Sequence, residues 1–140
     1  MKEKVLIVSA PYYKNIVDRL VEGAKKELNA NDMIVHQEFA PGAFEIPFVI
    51  NSRINDYYGF IAIGCIIRGE TYHFELIANE VTRKIMDLSI SSNKPIGFGI
   101  ITCENLDQAI KRSGEINKGI EAARACIKMI RGKHYSFGKF

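Results

Sequence analysis

Paired cysteine motifs, long apolar runs and a strong excess of charge of one sign are all missing from this sequence. The three cysteines, Cys65, Cys103 and Cys126, are odd in number and far apart, with no C-x-x-C. That spacing suggests neither a zinc site nor a disulfide framework, so reduced thiols in a cytoplasmic protein are the simplest expectation. No apolar stretch is long enough to span a bilayer, and the opening MKEKVLIVSAPYY is interrupted too soon for a secretory signal. Lys and Arg number 19 against 16 Asp and Glu, and a net charge of +3 gives no argument for a nucleic-acid or membrane partner. The basic end, RGKHYSFGKF, reads as a solvated or neighbour-contacting tail. No G-x-G-x-x-G follows the first apolar run, and neither a P-loop nor a G-x-S-x-G elbow occurs. This argues against the common dinucleotide enzymes, nucleotide triphosphatases and α/β-hydrolases.

What is present fits one globular domain over residues 1–140, with 47% hydrophobic and 25% charged residues. Lys4 to Ala10 is a β-branched run of the kind buried on both faces of a sheet. After Pro11, Ile16, Val17, Leu20, Val21, Ala24 and Leu28 recur at helical spacing. Met33 to Ala40 reads as a second strand. Phe44 to Ile54 reads as a helix that tolerates Pro47 in its first turn. Gly59 to Ile67 is a third strand, followed from Tyr72 by a long helix with Leu76, Ile77, Val81, Ile85 and Leu88 on its apolar stripe. Pro95 to Thr102 is a fourth strand. Asn105 caps a short helix from Leu106 to Arg112, which Gly114 ends, and Asn117 caps a last helix through Ile130. This alternation predicts a three-layer α/β/α sandwich around a central four-stranded, mainly parallel sheet.

Ligands of such sheets sit beyond the carboxyl ends of the strands. The rule points to Ala10 through Tyr13, to Pro41 through Glu45, to Arg68 through His73, and to Thr102 through Asn105. His73 is the one histidine at a strand-to-helix junction and can both give and accept a proton near neutral pH, although capping or packing would also account for it. Glu70 and Thr71 open a helix, where free backbone N–H groups attract anions or simply form a capping turn. Arg112 closes a short helix and suits either carbonyl capping or two-pronged phosphate binding. Glu45 can begin a helix or accept hydrogen bonds from a polar ligand. Tyr12, Phe44 and Phe98 could stack on a flat ring, though core filling is the ordinary use for Phe98. These residues describe an aromatic, phosphate-compatible pocket with one acid–base histidine, and they name no reaction.

In combination they go further. PGAFEIP, GCIIRGETYHFE, FGIITCEN and the pair RSG…NKGIEAA occur in that order, and together they resemble the 6,7-dimethyl-8-ribityllumazine synthase family. The resemblance runs from the first strand to the last helix. It implies a flavodoxin-like fold and, in riboflavin biosynthesis, condensation of 5-amino-6-(D-ribitylamino)uracil with L-3,4-dihydroxy-2-butanone 4-phosphate, with no metal or organic cofactor. It further implies that Tyr12 stacks on the pyrimidine, with adjacent Tyr13 as the alternative. Ala43, Phe44 and Glu45 would hold the ribityl chain and ring, and Cys65, Ile66 and Ile67 would line the pyrimidine site, mainly through their backbone. Glu70 and Thr71 would receive the butanone phosphate, and His73 would shuttle protons. Phe98 and Arg112 would come from a neighbouring subunit, which requires a homo-oligomer, a pentamer or an assembly of pentamers. The chain begins directly at its first sheet strand, and its Ser113-to-Asn117 connection looks shorter than in capsid-forming members; both features bear on assembly beyond the pentamer. A flavin or lumazine carrier, or a purely structural shell protein, are the alternatives; the presence of His73 and Arg112 argues against the former.

Overall fold

The computed structural model describes residues 2–69 and 72–132. Its strands are β1 (Lys4–Ser9), β2 (Ile34–Phe39), β3 (Gly59–Ile67) and β4 (Ile96–Cys103), and its helices are α1 (Lys14–Ala30), α2 (Ile46–Ser52), α3 (His73–Ser92), α4 (Leu106–Arg112) and α5 (Lys118–Arg131). A single 3₁₀ turn, Ala43–Glu45, leads into α2, and Pro47 lies in the first turn of that helix, where its missing N–H costs nothing.

All four strands are parallel, in the order β2-β1-β3-β4. The β-branched runs alternate their side chains between two cores. Val5, Ile7, Ile61, Ile63 and Ile101 meet Val17, Leu20 and Leu28 of α1 and Ala123, Ile127 and Ile130 of α5 on one face. Leu6, Val8, Phe60 and Ile100 meet Ile46 and Ile50 of α2 and Val81 and Ile85 of α3 on the other. The expected three layers are therefore present. Helix α5 lies so close to β4 and α1 that two positions admit no side chain. A Cβ on Gly97 would stand 2.2 Å from the Ala122 carbonyl oxygen, and one on Gly119 would stand 2.0 Å from that of Leu20.

Both expected N-caps form. Asn105 Oδ1 accepts from the Gln108 N–H at 3.0 Å. Asn117 Oδ1 accepts from Gly119 and Ile120 at 2.8 and 3.1 Å. Two expectations need correction. Gly114 does not end α4; Ser113 does, at φ −108°, its hydroxyl donating back to the Ala109 and Ile110 carbonyls, and no described glycine has a positive φ. Leu76 is not part of the buried stripe of α3. It is exposed, as are Met86 and Ile90, because the sheet needs only the narrow Val81–Ile85 seam of this helix.

Candidate active site

The strand order reverses direction between β1 and β3, and the crevice beyond their carboxyl ends is where an open α/β sheet offers a ligand site. A cleft of about 400 Å³ opens there, lined by Tyr12, Tyr13, Gly42, Ala43, Cys65, Ile66, Ile67, Gly69, His73, Phe74 and Ile77. Four separate stretches of chain meet in it: the β1–α1 turn, the turn before α2, the end of β3 and the start of α3.

Tyr13 caps α1 from the left-handed region, at φ 59° and ψ 59°. A tyrosine there is strained, since its Cβ crowds the following carbonyl. The strain is held by the helix, because the Tyr13 carbonyl accepts from Ile16 and Val17 at 3.0 and 3.1 Å. Tyr12 meets Tyr13 edge to face, with ring centroids 4.8 Å apart. Tyr12 is 69% exposed and Tyr13 37%, so Tyr12 offers the freer ring face. Burial, followed by the neighbouring Tyr12 and Cys65, pushes the Tyr13 hydroxyl up from its ordinary value.

Cys65 lies in the floor of the cleft, and burial, followed by the adjacent Cys103 thiol, pushes it up to about 12. It remains a thiol at neutral pH and is no nucleophile. His73 is the first residue of α3 and its side chain is exposed to the cleft. Glu45 borders the cleft through Gly42, over which its carboxylate leans: a Cβ on Gly42 would lie 3.1 Å from Glu45 Oε1. Phe44 turns away and lines a shallower hollow with Pro47, Glu80, Val81 and Lys84. Glu70 and Thr71 lie outside the described residues.

Phe98 and Arg112 are not in this cleft. They line a second hollow, of about 480 Å³, along β4 with Thr102, Lys118 and Glu121. No residue lines both. Arg112 Nη1 donates to the Thr102 carbonyl at 2.8 Å, so it holds the end of a strand rather than the last carbonyls of its own helix. Lys118, ion-paired with Glu121 at 3.3 Å, adds a cation that the sequence reading passed over. A signal for it exists: a lysine opening a helix works against the helix dipole, which favours acids in a first turn. Among the described residues no cluster of three His, Cys, Asp or Glu is placed to hold a metal ion. No helix among them is long and apolar enough to cross a membrane.

Comparison with known proteins identifies relatives of this chain. The family model described as 6,7-dimethyl-8-ribityllumazine synthase matches residues 2–134. Proteins of that name from Afipia carboxidovorans and Agrobacterium fabrum are 45% and 43% identical to this chain. These matches cover 93% and 94% of the chain, and 85% and 95% of the two relatives. The protein of the same name from Bartonella henselae is 46% identical over 136 residues, which is 92% of the chain and 87% of that relative.

Proposed function

The chain belongs to the 6,7-dimethyl-8-ribityllumazine synthase family, and on that premise we propose how its residues carry out the family's reaction. That reaction is a transferase step in the riboflavin pathway. 5-Amino-6-(D-ribitylamino)uracil condenses with L-3,4-dihydroxy-2-butanone 4-phosphate to give the lumazine, inorganic phosphate and water.

Tyr12 stacks on the pyrimidine, above a floor formed by Cys65, Ile66 and Ile67. Ala43, with Phe44 and Glu45 beyond it, holds the ribityl chain. His73 moves protons during imine formation, phosphate loss and ring closure. Glu70, Thr71 and Arg112 bind the phosphate of the four-carbon substrate, and Phe98 closes over the pyrimidine. A centre takes its cleft from one subunit and Phe98 and Arg112 from the next, within a homopentamer or an assembly of pentamers. Residues 1–140 act as one domain, in the cytoplasm, with no metal or organic cofactor.

One observation carries the shared site: the residues divide between two hollows that have no lining residue in common. A ligand held by His73 and Arg112 together is more simply served by two chains than by one. Mixing tests this. His73→Ala and Arg112→Ala subunits, each expected to keep about a tenth of the parent activity or less alone, are unfolded, combined and refolded together. Random co-assembly around a ring returns about a quarter of the parent activity, because a centre between the two variant types in one order is intact. Lumazine absorbance and fluorescence report the result. Mixtures no more active than the separate variants would show that His73 and Arg112 act from the same subunit.

A further inference from the structure

The rim of the cleft carries one guanidinium that the reaction as described does not use. Arg68 follows β3 and directs Nε at both carboxylate oxygens of Glu104, at 2.9 and 3.0 Å. Its Nη1 donates to Glu75 in the first turn of α3. The guanidinium also lies over the Phe74 ring, 4.5 Å from its centroid, and the Arg68 backbone N–H donates to the Cys103 carbonyl at 2.9 Å. These contacts tie three elements together: the end of β3, the start of α3 and the β4–α4 connection. From the other side, Arg112 Nη1 donates to the Thr102 carbonyl. Three successive residues, Thr102, Cys103 and Glu104, are thus gripped by two arginines.

Exposed ion pairs contribute little to stability, and both carboxylates here are substantially exposed. What a planar fork does well is fix directions, and this one is engaged by two carboxylates and a ring. Both carboxylates occupy donors that a phosphate would need. We propose that Arg68 is a positioning residue for the condensation: it holds the first turn of α3, and so His73, in register with residues 102–104, which Arg112 grips from the end of α4. The inference deepens the proposed function and rests on the roles given there to His73 and Arg112. If Arg112 serves the adjacent centre, Arg68 also aligns the proton shuttle of one centre with the phosphate arm of the next. The Arg68 hydrogen bond holds the Glu75 carboxyl below its ordinary range, so the contact persists into mildly acidic solution.

Arg68→Met keeps an apolar side chain of similar length beside Phe74 and removes the fork. In the assembled protein it lowers kcat about tenfold, since small misplacements of reacting groups are costly, and leaves KM for the pyrimidine within about twofold. Arg68→Lys and Glu104→Gln each fall between it and the parent. The double variant Arg68→Met/Glu104→Gln is no slower than Arg68→Met alone, because the two changes break the same contact. Amide exchange at Leu76 and Ile77, the first bonded N–H groups of α3, quickens about tenfold in Arg68→Met. Parent-like kcat and amide exchange in folded Arg68→Met, or losses that multiply in the double variant, overturn the proposal. If Arg68→Met does not fold, a Glu104→Gln variant with parent-like kcat and exchange does the same. Failure of the His73 role is distinguishable: His73→Ala would then be as fast as the parent, and amide exchange would still judge the clamp.

Discussion

His73 and Arg112 carry the sharpest expectations at the scale of single residues. His73→Ala lowers turnover by roughly 10- to 1000-fold, the usual range for a positioned acid–base group. The lower end is favoured, because holding two substrates together supplies much of the acceleration; stopped-flow measurement of lumazine formation checks it. Arg112→Ala weakens the four-carbon phosphate by about 2 to 4 kcal/mol in kcat/KM, roughly 30- to 1000-fold, and leaves the pyrimidine nearly untouched. Arg112→Lys recovers part of this, because one ammonium cannot grip two phosphate oxygens. If the bond to the Thr102 carbonyl were the whole role of Arg112, the variant would melt earlier and lose both substrates equally; separate titrations decide. Cys65, buried and with its thiol pushed up to about 12, stays unalkylated by iodoacetamide at pH 8 on a timescale that modifies an unfolded control, as peptide mass mapping would show. Motif order groups Tyr12, Ala43, Cys65 to Ile67 and His73, which do meet in the cleft; Phe74 and Ile77 also line it and carry no such mark, since apolar residues at helical spacing read as core. The outward turn of Phe44 was not readable, since a phenylalanine beside a glycine turn can rotate either way without altering the pattern.

Among the elements, α5 depends on one buried side chain. Asn117 caps its first turn, while Nδ2 donates to the Arg19 and Ser113 carbonyls at 3.1 and 3.2 Å. Asn117→Ala removes the cap and the bonds to both carbonyls, at a cost of about 1 to 3 kcal/mol in denaturant unfolding. Gly97→Ala forces α5 off β4 and destabilises by a comparable amount; a parent-like Tm would show that the close approach is not needed. Apolar periodicity and Asn caps made nearly every element legible, because β1 and most of β3 are buried on both faces and both Asn caps have a side-chain signature. Two details escaped for physical reasons. Ser113 closes α4 with its own hydroxyl where a glycine stood ready beside it, and α3 has more apolar residues than its seam on the sheet can cover.

For the whole molecule, that surplus on α3 and the half-exposed Phe98 leave apolar surface that the proposed neighbouring subunit would cover. Light scattering is expected to give a pentamer or a multiple of it, and an active monomer would defeat the shared site. That Phe98 and Arg112 stand apart from His73 was implied by the family resemblance and not by residue pattern alone, which orders side chains along one chain; they line a separate hollow. The parallel sheet has a consequence in time. Val5 pairs with Gly59, and Phe60 with Ile96, so every ladder closes only after the chain has looped across at least one helix. Such distant pairing makes the subunit fold on the order of milliseconds to seconds rather than microseconds. The cleft on each subunit then forms early, in a phase whose rate ignores protein concentration. On the proposed shared centre, catalysis is expected to return later, in a phase that quickens as the solution is made more concentrated, because it waits for two finished chains to collide.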